Sequence, residues 1–219
     1  MILAHSSHAT PALRLHPQNP HLFEFRGETT ILRTFGEHYG SVIHPDFDYI
    51  RYLDILQRDG MNLTRIVALG FRGHELPGQE PLSPSAAKFM QPWARVPGHG
   101  NALDGQPKWD FSVWNESYFT RLRNFAKACS DRGVVAEISL FNTIYDTSPE
   151  FWKNSPFNPA NNVQGHGPAS QFDTVRLVDA NLLAAQEAAV RRIVRELNAF
   201  DNIYYEIQNE PFWNQPDFK

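Results

Sequence analysis

The chain has 219 residues, 42% of them hydrophobic, enough to bury one sizeable core. A formal net charge of −4 argues against nucleic acid or an anionic membrane as partner. The single cysteine, Cys129, excludes an internal disulfide, and no apolar run is long enough to span a bilayer.

Met1-Ile2-Leu3-Ala4-His5 has no basic n-region and no sustained apolar stretch, so no signal peptide is expected at this start. Residues 22–26 and 29–35 read as strands around Gly27, an N-terminal hairpin. Phe47, Ile50, Leu53 and Leu56 recur at helical spacing, with Gly60 as the stop. Residues 62–69 are apolar and β-branched, which predicts a strand. Tyr118, Leu122, Phe125 and Cys129 mark one helix face, with Asn115 as N-cap and Gly133 just past the end. A strand follows over 134–141. Residues 180–198 form the clearest helix, with Leu182, Ala189, Ile193 and Leu197 on one stripe, and 202–208 is the last strand.

This order, a hairpin followed by β-α-β-α-β-α-β, predicts an α/β fold with a parallel sheet and right-handed crossovers. Helix-to-strand turns are short, whereas two strand-to-helix connections, 70–114 and 142–179, are very long. Loops of that length usually carry function, and both leave strand C-termini, where (β/α)8 barrels place their active sites. They hold Trp93, Trp109, Trp114 and Trp152, whose faces suit sugar rings. The plain alternative is that each Trp pins its loop to the body. A doubly wound sheet has the same alternation of elements, but no Gly-rich phosphate loop follows the first strand.

Asn209-Glu210-Pro211 comes directly after the last strand. A carboxylic acid there can protonate a departing glycosidic oxygen, and a neighbouring amide can bond the sugar 2-hydroxyl. The competing reading is a solvated Glu with Pro ending the ladder.

The segment Ile203-Tyr204-Tyr205-Glu206-Ile207-Gln208-Asn209-Glu210-Pro211-Phe212-Trp213-Asn214 resembles the fourth-strand segment of cellulase-like retaining glycoside hydrolases of the (β/α)8 clan, family 5 in particular. Counting strands from 29–35 places Asn209-Glu210 at the end of the fourth, as in the clan. Leu22–Gly27 followed by Phe35-Gly36-Glu37-His38-Tyr39-Gly40 is similar to the clan's hairpin and first barrel strand, and Gly60–Ile66 to its second strand. The resemblance spans about residues 20–214 in strand order and is specific in 202–214. It implies a (β/α)8 TIM barrel truncated after the fourth strand, residues 1–28 being the N-terminal segment and hairpin and 29–219 the half-barrel. Glu210 would be the acid/base, Asn209 the 2-hydroxyl ligand and Arg65 an electrostatic support inside the barrel. The sugar subsite would draw on Glu37, His38, Tyr39, Asn142, Trp93, Trp109, Trp152 and Trp213. Family members are commonly secreted or periplasmic.

Two departures stand out. Strand three ends in Ser139-Leu140-Phe141-Asn142, without the His of some families in the clan. The clan's nucleophile lies on the seventh strand, beyond the four units read here, and within this chain only Glu37 or Glu137 could replace it. Glu137 and Glu206 lie inside strands, pointing into the barrel or paired with Arg65. Strict pleating would set Asn209 and Glu210 on opposite faces, so the strand must end or bulge there. No metal-ligand spacing, serine elbow or exposed thiol is present, so no metal or cofactor is expected. The expected ligand is an oligosaccharide or polysaccharide. A non-catalytic carbohydrate-binding barrel fragment is the rival, and the exposed edges of a half-barrel are expected to favour self-association.

Overall fold

The computed structural model describes residues 12–34, 41–70, 72, 84–142 and 149–209. Three short strands, β1 (Arg14–Leu15), β2 (Phe23–Phe25) and β3 (Glu28–Thr30), form an antiparallel sheet in the order β1-β2-β3. The β2–β3 turn, Arg26-Gly27, has positive φ at both residues (54° and 86°), as a type I′ hairpin requires. Arg26 then reaches across the chain. Its guanidinium donates to both carboxylate oxygens of Asp201 at 2.8 Å and to Ser130 O at 3.0 Å.

Three further strands form a parallel sheet: β4 (Leu63–Leu69), β7 (Val135–Asn142) and β8 (Ile203–Asn209), in the order β4-β7-β8. Neighbours in space are neighbours in chain order among these strands, with no switch point of the doubly wound kind. Residues 29–35 depart from expectation. Pairing with β2 ends at Thr30, and 31–34 form no strand. Even so, Arg33 exchanges hydrogen bonds with Asn62 at the start of β4, and Asn62 Nδ2 donates to Ile31 O. The segment therefore runs up to the β4 edge. Residues 35–40 lie outside the described part, so three parallel strands, not four, are seen among the described residues.

The helices α1 (Tyr49–Arg58), α2 (Glu116–Asp131) and α4 (Ala180–Leu197) stand side by side. Each opens on a side-chain cap: Asp48 accepts from Arg51 N, Asn115 from Tyr118 N, and Asp179 from Asn181 N and Leu182 N. Alternation sorts the strand residues. Ile66 and Ala68 of β4, Ala136, Ile138 and Leu140 of β7, and Ile203 and Tyr205 of β8 pack with helix residues such as Leu53, Leu122, Phe125 and Ile193. Arg65, Glu137, Tyr204 and Glu206 take the other face. One sheet face is thus an apolar helix seat and the other is charged.

The connection 70–114 contains an antiparallel hairpin, β5 (Trp93–Asn101) and β6 (Pro107–Trp114), rather than being irregular throughout. Residues 149–179 hold the short helix α3 (Pro149–Lys153) and a run of buried amides. Trp109 N donates to Asn161 O (3.0 Å), and Val163 N donates to Trp109 O (2.8 Å). The two long connections, each leaving a strand C-terminus, are therefore joined into one layer. Gly167 sits where a Cβ would lie 2.1 Å from Phe157 O, so only glycine fits there.

Candidate functional site

The charged sheet face is built row by row. Arg65, Glu137 and Tyr204 are register partners across β4, β7 and β8. Arg65 Nε lies 3.0 Å from Glu137 Oε1, and its Nη2 donates to Glu206 Oε2 at 2.5 Å. Tyr204 donates its hydroxyl proton to Glu137 Oε2 at 2.5 Å. Burial, and then this bond to Glu137, raises the Tyr204 pKa, so the phenol stays protonated. Among the described residues, the row sets one guanidinium between two carboxylates.

Above this row, at the strand ends, two amides complete the array. Arg65 Nη2 donates to Asn209 Oδ1 at 2.8 Å, and Asn209 Nδ2 donates to Asn142 Oδ1 at 2.8 Å. A guanidinium has no acceptor, so the carbonyl oxygen of Asn209 must face Arg65, and its NH2 must face Asn142. Asn142 and Asn209 are register partners, and both are buried. Arg65 reaches both Glu206 and Asn209, which lie three residues apart on one strand. Strict alternation would put them on opposite faces. The β7–β8 pairing runs in register to Asn142 and Asn209, so Arg65 meets Asn209 at the very end of the strand.

Of the residues expected at a sugar site, Arg65, Asn142 and Asn209 are brought together. Glu210, Glu37, His38, Tyr39 and Trp213 lie outside the described residues. Trp93 and Trp109 require correction. Both are only 1% exposed and offer no face to a ligand. Trp93 packs on Phe111 and Phe157, and Trp109 lies between Phe89 and the Arg95 guanidinium, which sits 3.5 Å from its ring centroid. They anchor the long connections. Trp114 packs edge-on against Phe119, and Trp152 is half-buried against the core. Arg72 and Asn154, whose side chains join the two connections at 2.8 Å, were not singled out from sequence, and neither was Tyr204. For Tyr204 the signal was present: it shares strand parity with Glu206, on the face opposite Ile203, Tyr205 and Ile207.

No protein-family model matches the chain, and no curated protein sequence does. Solved structures do. The endo-1,4-beta-mannanase from Rhizomucor miehei superposes with a TM-score of 0.56 at 12% identity, over 90% of this chain and 49% of that one. The glycoside hydrolase family 5 mannosidase from the same organism gives 0.52 at 14% identity, over 93% of this chain and 49% of that one. The chain thus has the fold of the family 5 glycoside hydrolases and spans about half the length of these relatives.

Proposed function

We propose that this chain is the acid/base half of a retaining glycoside hydrolase barrel that cleaves O-glycosidic bonds of an oligosaccharide or polysaccharide. The observation that carries the reading is the array at the strand ends, in which the Asn209 amide bridges Arg65 and Asn142. An amide fixed on both sides at a strand end, with Glu210 next in sequence, suits the recognition of a hydroxyl beside a reacting carbon. With its carbonyl held by Arg65 and one N–H held by Asn142, the amide has, among the described residues, its second N–H left for a sugar 2-hydroxyl oxygen.

In this reading Glu210 protonates the leaving oxygen and then deprotonates the attacking water. Arg65 holds Asn209 and Glu206 in place, and Glu137 with Tyr204 holds Arg65. The nucleophilic carboxylate comes from a further part of a complete barrel, and Trp213 with Glu37, His38 and Tyr39 contributes to the sugar subsite. The names of the structural relatives make β-mannan oligosaccharides the first glycans to test.

The decisive experiment compares Glu210→Gln with the parent in a complete barrel. Hydrolysis of a natural glycan should fall by about 10²-fold or more, while an activated aryl glycoside, which needs little protonation, should lose far less in its glycosylation step. Full retained activity on the glycan would overturn the assignment.

A further inference from the structure

The contacts beneath Asn209 form a chain that runs from the body of the parallel sheet to its end. Glu137 on β7 is the register partner of Arg65 on one side and of Tyr204 on the other. The Tyr204 hydroxyl donates to Glu137 Oε2 at 2.5 Å, and Glu137 Oε1 lies 3.0 Å from Arg65 Nε. Each oxygen of this carboxylate has its own donor, one on each neighbouring strand, so rotating the carboxylate breaks both contacts at once. Arg65 Nη2 donates to Glu206 Oε2 at 2.5 Å and to Asn209 Oδ1 at 2.8 Å, and Asn209 Nδ2 donates to Asn142 Oδ1 at 2.8 Å.

The guanidinium gives this chain a direction. It is a rigid plane whose donors keep fixed angles to one another. Glu137 at Nε and Glu206 at Nη2 fix that plane, and the angle of the bond to Asn209 follows from it. A lysine would reach the same carboxylates as a point charge and set no such angle. Tyr204 stands at the far end of the chain. Burial, and then Glu137, keep its phenol protonated, so the donor is present at neutral pH. Phenylalanine in its place keeps the ring and loses only this hydroxyl.

We propose that Tyr204 is a positioning residue for recognition of the sugar 2-hydroxyl: by fixing Glu137, and through it the plane of Arg65, it sets the angle at which the Asn209 amide meets the substrate. The proposal rests on the reading of Asn209 as the 2-hydroxyl ligand. It makes Tyr204 matter for the share of transition-state stabilisation that passes through the 2-hydroxyl, and for no other share. A hydrogen bond that merely satisfied a carboxylate would act on stability and on all substrates alike.

The test measures kcat/KM in a complete barrel on an activated aryl glycoside and on its 2-deoxy counterpart, for the parent, Tyr204→Phe, Asn209→Ala and the double variant. Tyr204→Phe should lower the value on the 2-hydroxy substrate by roughly tenfold, the order of one lost hydrogen bond to a charged group, and leave the 2-deoxy substrate within about twofold of the parent. The double variant should lose no more than Asn209→Ala alone. Glu137→Gln leaves one acceptor where two are needed, so it should reproduce the selective loss, and it carries the test if Tyr204→Phe does not fold. Equal losses on both substrates, no loss on either, or additive losses in the double variant would overturn the proposal. If Asn209→Ala is itself selective for the 2-hydroxy substrate, such a result leaves the Asn209 assignment standing. If Asn209→Ala slows both substrates equally, the 2-hydroxyl assignment falls and the role of Tyr204 falls with it.

Discussion

His44 is buried against Phe89, and its Nδ1 has no hydrogen-bond partner among the described residues. Burial first, and then the nearby Arg121 guanidinium, lowers its pKa to about 4, against the partial opposition of Asp46. In the unfolded chain the same imidazole titrates near its ordinary value of about 6.5. Between these two values the unfolded state binds the extra proton and the folded state does not. Stability is therefore lost as pH falls from about 6.5 towards 4, by up to about 3 kcal/mol. Urea titrations at neutral pH and near the lower limit should show that drop in the wild-type chain, and His44→Phe should lack most of it. An equal drop in both would remove His44 as the cause. At this scale the site was partly legible. Arg65 stood out as a charge within an apolar strand, and Asn209 through its neighbour Glu210. The demand that the strand end or bulge to bring Asn209 and Glu210 into one cleft turns on Glu210, which lies outside the described residues. Trp93 and Trp109 misled because a Trp in a long connection serves stacking and anchoring equally well, and only packing separates the two.

At the scale of elements, the strands and helices with one dominant period were readable. The expected 62–69, 134–141 and 202–208 are Leu63–Leu69, Val135–Asn142 and Ile203–Asn209. Their apolar runs begin just after Gly or Asp turns that leave little freedom. The hairpin in 93–114 was missed although Lys108-Trp109-Asp110-Phe111-Ser112-Val113 alternates and Asp104-Gly105 makes a turn. Pro97, Gly98 and Gly100 in its first strand hid the pairing, because such residues normally argue against a strand. The segment 29–35 was over-extended because the antiparallel pair and the approach to β4 share one extended run. Irregular stretches need another source of order, and here it is buried asparagine. Asn161 donates to Lys153 O and Ser155 O, both at 2.7 Å, and accepts from Leu103 N at 2.8 Å, with no exposure to solvent. Asn162 similarly donates to Pro156 O, Asn158 O and His166 O. Asn161→Ala removes three hydrogen bonds to backbone groups, one of them buried, and should cost about 2 kcal/mol in urea denaturation. Amide exchange should quicken first at Leu103 and Val163, where the two connections meet. Unchanged stability would mean that water takes over these bonds.

At the scale of the whole molecule, the chain's early and late segments meet at Asp201. Arg26, in the β2–β3 turn, grips Asp201 through two hydrogen bonds, and Leu13 N donates to Asp201 O. This joins the N-terminal sheet to the turn before β8, across 175 residues. The topology was legible because alternating strands and helices permit few arrangements, but a long-range clamp of this kind leaves no local pattern. Asp201 is held below its usual pKa by the hydrogen bonds and charge of Arg26, working against burial. A depressed carboxylate stabilises the fold above its unfolded pKa of about 3.9, and that contribution fades as pH falls through the folded value. The two acid effects therefore occupy different windows: the His44 loss begins near pH 6.5, and the Asp201 loss begins only below about pH 4. Because the pair is partly exposed, its worth at neutral pH is about 1 kcal/mol after screening. Arg26→Ala should lower stability by that amount at neutral pH, and the difference from wild type should shrink at acid pH as Asp201 becomes protonated. Raised salt should narrow it as well. Hydrogen exchange should report where the loss falls, with amides of β1 and β2 opening before those of β7. A variant that differs equally from wild type at neutral and strongly acid pH would show that Arg26 acts through its packing on Phe25, whose ring centroid lies 4.7 Å from the guanidinium, rather than through Asp201.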